Sequence, residues 1–450
     1  MRSLGPLMGL DAILTIIAAA HCPSPTRIFE GRPDAASPID AERRGSIPWH
    51  LVTAFHCDVR LGQSAVREFL APRCVLNGDG SAAKAGDTLR ALGVAPGRAL
   101  LICDRFVFDS GAAAPLLDGL RSAGFETEVY PDVTREPTLG DVTKAANRVR
   151  ALRPVTVVGL GGGSAMDLAK VVALLATNDG DVESHIGIDL PEKTPLPFAL
   201  VPTTAGTGAE TTRISMLAAD TGKRIVSHRQ LVPLVAVLDV ELVMKLPPPV
   251  TSATGMDALT HATESFLSTM SSVLSTTMSL RAAQLLSEWL PVAHREPDNR
   301  KARRATLYGA YMAGLSLNAG VVLGHSMAYT VANRAHLSHG VTTAMALPYC
   351  LAYNRSAEIE GVDQLAASIT GGRYADLRSV AHVLLELNAR LGMPSSPMDV
   401  GIVASEAGAM AAECVTKYPR PSNPVAMTEP RVASLYHAWF GGDLAAAWAV

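Results

Sequence analysis

The residues best suited to chemistry lie in one short stretch, where an aspartate and a histidine stand four positions apart. On a helix, Asp257 and His261 would project from the same face about one turn apart, so that they can hold one cation together. Two ligands do not close a metal site, and His325 and His339 are the candidates for completing it. Each histidine alone is more often a satisfied core or surface residue. The set indicates a metal site because its members lie among apolar and small residues, where an unpaired imidazole or carboxylate is costly.

A second segment with chemical potential is the glycine-rich run 161–170, which follows an apolar stretch and opens a helix-like one. Glycines at such a junction let a phosphate approach the backbone N–H groups and the positive end of the helix dipole. Gly162, Gly163 and Ser164 stand at this junction, and Asp167 lies in the first turn after it. The segment is neither a P-loop nor a regular G-x-G-x-x-G, and a plain strand-to-helix turn is the alternative.

A third segment, 202–210, places hydroxyl groups on a glycine-rich frame directly after another apolar run. Its threonines Thr203, Thr204 and Thr207 would stand at the carboxyl end of a strand, where α/β sheets bind cofactors. An ordinary Thr/Gly turn is an equal alternative for this segment by itself. Asp104 ends the first clear strand; there it either binds an adenosine ribose and repels a 2′-phosphate, or only caps a helix.

The elements that would position these segments alternate between strand-like and helix-like runs. Strands are predicted at 98–104, 126–130 and 155–160, and helices at 113–124 and 140–152. Such alternation, with nearly continuous apolar strands, is typical of a parallel sheet covered on both faces. Beyond 246–249 the apolar residues recur at helical spacing, with one strand-like run at 343–351. We therefore predict an α/β dinucleotide-binding domain with a parallel sheet, followed by an all-α metal-binding domain.

Length and composition divide the chain of 450 residues into three predicted segments: a flexible N-terminal extension (1–55), the α/β domain (56–247) and the helical domain (248–450). The formal net charge of −3 gives no reason to expect nucleic acid as a partner. The apolar start of the extension loosely resembles a signal peptide but is interrupted, and no run is long enough for a membrane span. The six cysteines are scattered and fit a reducing compartment, so we expect a cytoplasmic protein without a membrane partner.

Taken together, these motifs resemble those of the iron-containing (group III) alcohol dehydrogenase family. The resemblance rests on G-G-G-S-x-x-D-x-A-K at 161–170, P-T-T-A-G-T-G-x-E at 202–210, G-M-D-A-L-T-H-A at 255–262, and G-H and H-G at 325 and 339. It runs from about residue 70 to the C-terminus and includes Asn423-Pro424. It implies an active site in the cleft between a dinucleotide-binding domain and a helical metal domain.

The resemblance also implies roles for individual residues. Asp257, His261, His325 and His339 correspond to the family's metal ligands, for Fe²⁺ or alternatively Zn²⁺. The positions that correspond to its cofactor-binding residues are Asp104, Gly162, Gly163, Ser164, Asp167, Thr203, Thr204, Thr207, Thr212 and Lys223. Asp104 corresponds to the acid that selects NAD over NADP. The implied reaction is hydride transfer between NAD, or alternatively NADP, and a small alcohol, aldehyde or ketone. The resemblance also implies that the chain forms a homo-oligomer, namely a dimer.

One position departs from the family pattern. Many members have a second histidine four residues after the third ligand, where it is thought to help proton movement, whereas this chain has Tyr329. A phenol can relay a proton but titrates far from neutral, so Tyr329 is the candidate relay and the substrate class stays open. A hydroxyacid–oxoacid transhydrogenase of the same fold is one alternative. A lyase resembling dehydroquinate synthase is disfavoured by the ligand set, and a non-catalytic scaffold by the intact motifs.

Overall fold

The α/β half is built on a six-stranded sheet. The computed structural model describes residues 59–219 and 222–450, and the predicted extension 1–55 lies outside them. The strands are β1 (Cys74–Asn77), β2 (Gly97–Cys103), β3 (Phe125–Tyr130), β4 (Thr156–Gly161), β5 (Gly187–Ile188), β6 (Phe198–Pro202), β7 (Ile214–Ala219), β8 (Gly222–Ser227) and β9 (Val235–Leu238). Six of them pair in parallel in the order β1-β9-β6-β4-β2-β3, and β5, β8 and β7 form a smaller sheet.

Helices cover both faces of the large sheet, which is why its strands are almost entirely apolar. These helices are α1 (Ala85–Ala91), α2 (Arg105–Asp109), α3 (Ala114–Ser122), α4 (Leu139–Leu152) and α5 (Gly163–Leu175). Leu89 of α1 and Leu116 of α3 pack on one face of the sheet, and Val142 of α4 and Leu168 of α5 pack on the other. The N-terminus of α4 is fixed by a capping box between Thr138 and Asp141.

The strand order creates a crevice in the middle of the sheet. The chain passes from β2 to β3 on one side and then returns to β4 on the other side of β2. Loops that follow β2 and β4 therefore diverge, and ligands of doubly wound folds bind at such a point. The sheet and its crossovers confirm the predicted α/β class.

The second half is helical throughout its described length. It contains α6 (Pro248–Leu267), α7 (Val273–Arg295), α8 (Arg300–Ser316), α9 (Leu323–Ala335), α10 (His339–Tyr353), α11 (Val362–Thr370), α12 (Leu377–Arg390), α13 (Ala407–Lys417), α14 (Glu429–Phe440) and α15 (Leu444–Ala447). At its start, the buried Arg303 donates to the carbonyl of Leu246 and to the hydroxyl of Thr251, which ties α8 to the beginning of α6. The helical metal-domain class is thereby confirmed.

Two observations differ from the sequence-based expectations. The strand-like run 343–351 lies inside α10, because a helix buried on all sides has the same continuous apolar sequence as a buried strand. The segment 59–70, assigned by sequence to the α/β domain, lies along the helical half: Arg60 donates to the carbonyl of Phe266 at 2.8 Å, and the Leu70 N–H donates to Asn318 at 2.7 Å. Contacts so distant in sequence leave no local pattern.

Among residues 59–219 and 222–450, no single helix is long and apolar enough to cross a bilayer. The segments Arg300–Ala319 and Leu323–Ala335 reach that length and apolar composition only together, and they are bent by 109° relative to each other.

Candidate active site

Three of the predicted cofactor segments meet at the crevice. The N–H of Thr203, after β6, donates to the carbonyl of Gly161, at the end of β4, over 2.9 Å. A Cβ placed on Gly161 would lie 3.7 Å from Oδ2 of Asp104, which follows β2. Asp104 also caps α2, since its Oδ1 accepts the Val107 N–H at 2.8 Å. The two interpretations of Asp104, ribose acceptor and helix cap, are therefore compatible because each uses a different oxygen.

The start of α5 is suited to a phosphate. Gly162 is its N-cap, and no described side chain caps it, so the first N–H groups of the helix remain available. A Cβ on Gly162 would meet Thr204 at 3.5 Å, and one on Gly163 would meet Thr207 at 2.9 Å. The threonine loop thus lies directly against the helix N-terminus. The hydroxyl of Ser164 donates to the carbonyl of Arg135, which leaves its backbone N–H for a ligand.

Other predicted cofactor residues are engaged within the protein. Lys170 is fully buried and donates to the Thr212 hydroxyl at 3.1 Å, while Oδ2 of Asp167 accepts the Met216 N–H at 3.0 Å. Burial raises the pKa of Asp167, an effect that the Lys170 ammonium 3.7 Å away opposes. These pairings fix α5 to the β7 region, so Asp167 and Thr212 lie beside the crevice but already have protein partners.

The four predicted metal ligands come together on three helices; we call Asp257, His261, His325 and His339 the Asp/His cluster. Asp257 and His261 lie one turn apart on α6, and Nε2 of His261 is 3.8 Å from Oδ1 of Asp257. Together with His325 of α9, each offers a ligand atom within 4.8 Å of the other two. His339, the first residue of α10, reaches the same carboxylate oxygen with Nε2 at 3.8 Å. His261 and His325 are stacked with ring centroids 4.9 Å apart.

Two glycines explain how the helices approach closely enough. A Cβ on Gly340 would stand 1.9 Å from the carbonyl oxygen of Ala253, so only glycine lets the start of α10 rest on α6. A Cβ on Gly324 would stand 2.1 Å from Oε1 of Glu264. The glycines of the G-H and H-G motifs are therefore required by close packing, and they bring His325 and His339 to the cluster.

The protonation states of the Asp/His cluster favour the binding of a cation. Burial lowers the pKa of His325 well below its ordinary value, and burial likewise lowers the pKa of His339, so both imidazoles are neutral near pH 7. Burial opposes ionisation of Asp257, but the surrounding histidines and Lys223 together lower its pKa. One carboxylate with neutral imidazoles is the deprotonated form that a divalent metal needs.

Glu264 is a functional candidate that was not singled out from sequence. It is fully buried on α6, accepts the Val322 N–H with Oε2 at 2.6 Å, and places that oxygen 3.2 Å from Nδ1 of His325. Burial raises the pKa of Glu264 to about 8. A carboxylate next to one ring nitrogen fixes the orientation of a metal-ligating histidine, leaving the other nitrogen for the metal. Its position, three residues after His261, was the only signal available in the sequence.

Asn423 supports the same helix from the other side. Its Oδ1 accepts the Leu323 N–H at 3.1 Å, and its amide donates to Oδ1 of Asn354 at 2.8 Å. The first N–H groups around the start of α9 are thereby satisfied by Glu264 and Asn423. The Asn-Pro motif near the C-terminus therefore positions His325 indirectly.

The predicted relay residue lies against the cluster. Tyr329 is one turn beyond His325 on α9, and its ring stacks on His339 with centroids 5.4 Å apart and an interplanar angle of 11°. On its other side lie the ring of Tyr418, at 5.1 Å, and the guanidinium of Arg420, at 5.8 Å. Tyr418 and Arg420 come from a distant segment, and the sequence carried no sign of either.

The crevice and the cluster are adjacent. A Cβ on Gly206, in the threonine loop, would lie 2.6 Å from Cβ of Thr254, three residues before the first cluster residue on α6. A Cβ on Gly208 of the same loop would lie 2.4 Å from Cα of Gly314 of α8. Lys223 at the start of β8 acts electrostatically on both regions: its charge opposes the burial that raises the pKa of Asp167, and it contributes to the lowered pKa of Asp257. A dinucleotide at α5 and a metal at α6 would thus share one site.

The residues of the cluster fit a resident divalent metal. Both ring nitrogens of His325, and Nδ1 of His261 and of His339, are buried without a hydrogen-bond partner among the described residues. Buried polar atoms left in this way are costly unless something else satisfies them. Three imidazoles and one carboxylate form a set that suits Fe²⁺ or Zn²⁺.

Two family models match most of the described chain. The family model for iron-containing alcohol dehydrogenase matches residues 72–240, and the model for the C-terminal part of the Fe-containing alcohol dehydrogenase family matches residues 251–440. Long-chain-alcohol dehydrogenase 1 of Geobacillus thermodenitrificans is 34% identical over 355 residues, covering 77% of this chain and 90% of the relative.

Two solved structures are similar in fold over most of the described chain. A 1,3-propanediol oxidoreductase has a TM-score of 0.79 at 27% identity and covers 84% of this chain and 100% of its own. A sulfoacetaldehyde reductase from Bifidobacterium kashiwanohense, in complex with NAD+, has a TM-score of 0.76 at 28% identity and covers 84% of this chain and 99% of its own.

Proposed function

This chain belongs to the iron-containing alcohol dehydrogenase family, and on that premise we propose that the Asp/His cluster holds the metal its chemistry requires. As a member, it is an NAD- and metal-dependent oxidoreductase that transfers hydride between the cofactor and an alcohol or aldehyde. In the oxidative direction an alcohol and NAD+ give the carbonyl compound, NADH and a proton. The observation that carries the ligand assignment is the set of buried ring nitrogens without partners around Asp257.

The side chains of the cluster have separate tasks in this proposal. When bound, the metal supplies a Lewis acid for the substrate oxygen, and the nicotinamide supplies the hydride acceptor. Asp257 contributes the negative charge, and the imidazoles of His325 and His339 remain neutral because burial lowers the pKa of each. Glu264 orients His325, and the rings of Tyr329 and Tyr418 cover one side of the cluster.

We assign the cofactor to the crevice beside the cluster. Support comes from the available N–H groups at Gly162, Gly163 and Ser164 and from the threonine loop that lies against them. Oδ2 of Asp104 would accept the ribose hydroxyls, in line with NAD as cofactor. Lys223, 3.4 Å from Glu136, would reach the cofactor from β8.

Tyr329 is proposed as the proton carrier, through its phenolic oxygen. Support comes from its position one turn beyond His325 and from its stacking on His339, which place a proton-carrying group next to the cluster. The same tyrosine favours a second candidate, a transhydrogenase that passes hydride between a hydroxy acid and an oxo acid. That enzyme would turn over without added free nucleotide.

We further propose a cytoplasmic homodimer. For the compartment, support comes from the scattered cysteines, of which Cys74, Cys103, Cys350 and Cys414 are free thiols. For the assembly, support comes only from the resemblance to the family.

The proposed function is tested by a substrate screen on the purified full-length chain. The protein is loaded anaerobically with Fe(II) or Zn(II) and assayed against primary alcohols, diols and their aldehydes, with NAD(H) and NADP(H) in parallel and a chelated sample as control. We expect metal-dependent turnover with a preference for NAD(H). Metal-loaded protein that turns over no member of the panel with either nucleotide would refute the proposal.

A further inference from the structure

A short C-terminal segment, 418–423, is held firmly along the start of α9. The Ser326 hydroxyl donates to the carbonyl of Tyr418 at 2.6 Å, and the Ser422 hydroxyl donates to the carbonyl of Val321 at 3.0 Å. Asn423 completes the attachment through the Leu323 N–H. Arg420 lies between these anchor points, so the position of its backbone is fixed relative to His325.

The side chain of Arg420 reaches the border of the cluster. Its Cζ lies 5.8 Å from the ring centroid of Tyr329, which itself stacks on His339. The guanidinium of Arg420 is therefore separated from His339 only by the ring of Tyr329, at the edge of the Asp/His cluster.

Arg420 has no carboxylate to balance its charge. Throughout residues 59–219 and 222–450 its guanidinium makes no hydrogen bond and no ion pair, and its Nε is buried without a partner. Lys223, the other cation that acts on the cluster, lies 3.4 Å from Glu136. The nearby Glu413 is already paired with Arg334 at 2.8 Å. A fixed, partly buried guanidinium without an anion is poised to accept one from outside the chain.

We propose that Arg420 is a specificity-determining residue that binds an acidic group on the substrate, so that the preferred substrates are short aldehydes, and the corresponding alcohols, carrying a carboxylate or sulfonate. This inference rests on the proposed function, because the reacting carbonyl must lie at the Asp/His cluster. The planar guanidinium can form two parallel hydrogen bonds with either oxoanion, and the Tyr329 ring supports the guanidinium from one side. A neutral substrate offers this cation no anion and therefore forgoes the charge-assisted hydrogen bonds that an acidic substrate would make.

The first experiment compares matched substrates on the metal-loaded enzyme with NADH. Succinic semialdehyde is compared with its methyl ester and with its sulfonate analogue, in wild type and in Arg420→Met. We expect wild type to prefer the acid over the ester by at least about tenfold in kcat/KM, mostly through KM, as a charged hydrogen bond of about 1.5–3 kcal/mol implies. In Arg420→Met this acid-to-ester ratio falls to near one. The relative kcat/KM values of the carboxylate and the sulfonate substrate show which oxoanion Arg420 binds better.

The second experiment needs no turnover. Butanoate, its sulfonate analogue and neutral butanamide are titrated calorimetrically into the metal-loaded wild type, Arg420→Met and the control Arg431→Met. Arg431 makes a similar contact, with Cζ 5.0 Å from the ring of Tyr353, but on α14. Anion binding should weaken at least about tenfold in Arg420→Met and remain unchanged in Arg431→Met.

The outcomes separate this inference from the function on which it rests. If the enzyme reduces neutral aldehydes but wild type shows no acid preference, Arg420 is not an anion anchor although the dehydrogenase assignment stands. An equal loss of acid and ester activity in Arg420→Met, with unchanged anion binding, would reduce Arg420 to a structural role. If no aldehyde is reduced at all, the proposed function itself fails.

Discussion

The start of α5 and the Asp/His cluster both bury charged or polar groups, but the first supplies most of the partners of its buried groups and the second supplies few. At α5, the buried Lys170 donates to the Ile214 carbonyl at 2.7 Å and lies 3.7 Å from Asp167. In the cluster, both ring nitrogens of His325 are buried and find no partner in the part of the chain that the structure describes. In the α5 region one buried side-chain oxygen, Oδ1 of Asp167, makes no hydrogen bond to a described residue and lies 3.7 Å from the Lys170 ammonium, whereas the cluster contains four buried ring nitrogens that make none.

This difference indicates how each region should respond to change. Cofactor binding at α5 relies on backbone N–H groups and on space beside Gly162, so a steric change there should affect the nucleotide alone. Metal binding relies on side-chain nitrogens, so a change there should remove the metal while the unliganded fold loses little. Variants that break one region should therefore leave the other intact.

The largest effect is expected for His325→Ala. Losing one of four ligands should abolish stable metal binding and lower kcat/KM by at least about a thousandfold, since the Lewis acid is lost. The melting temperature of the metal-free protein should fall only by the cost of the cavity that the smaller side chain leaves, because the ring nitrogens that are removed make no hydrogen bond to any described residue. His382→Ala, at an exposed position, is the control. Full activity in metal-depleted His325→Ala would contradict the ligand assignment.

A smaller loss is expected for Glu264→Gln. The amide oxygen can still accept the Val322 N–H, but glutamine cannot ionise beside Nδ1 of His325 as Glu264 can, so metal affinity should fall by about 10–100-fold. A chelator competition titration measures this change, and Glu288→Gln on α7 serves as the matched carboxylate control. Unchanged affinity in Glu264→Gln would show that this carboxylate does not orient the ligand.

Gly162→Ala tests the other region. The added Cβ would meet only Thr204, at the ordinary contact distance of 3.5 Å, so the unliganded protein should accept it. A pyrophosphate approaching the backbone would not, and the KM for NAD should rise about tenfold while metal content stays the same. Gly408→Ala, where no described atom lies within 4 Å of the new Cβ, is the control. An unchanged KM would place the phosphates elsewhere.

The smallest effect is expected for Asp104→Ser. Serine can keep the cap on the Val107 N–H but removes the negative charge, so the efficiency with NADP relative to NAD should rise several-fold. Parallel steady-state kinetics with both nucleotides measure the ratio, with Asp109→Ser at an exposed position of α2 as control. A ratio that does not move would leave Asp104 with its capping role only.

Much of this site could be predicted from sequence because its signals are local. The spacing of Asp257 and His261 indicated one helix face, and the glycines before α5 indicated a phosphate turn. The tertiary contributions could not be predicted. Glu264 acquires its role only because α9 delivers His325 to it, and Arg420 reaches Tyr329 from 91 positions further along the chain.

The dependence on tertiary contacts also explains the predictions that local sequence patterns got wrong. The run 343–351 had no helical periodicity because α10 is buried on all sides, and its strand-like sequence carried no information about packing. The positions of Asp167 and Thr212 matched the family motif, but their pairing with Met216 and Lys170 depends on where β7 lies. Local sequence thus predicted which polar side chains belong to the site. Tertiary packing determined which of these side chains lack a hydrogen-bond partner within the protein.

The central claim, that the Asp/His cluster is completed by one metal ion, is tested most directly by metal analysis of the wild-type chain. The protein is loaded anaerobically with Fe(II), desalted, and examined for metal content and by X-ray absorption spectroscopy. We predict one ion per chain with a first coordination sphere of imidazole nitrogen and carboxylate oxygen. Protein that retains no ion, or an ion without imidazole ligands, would contradict the account.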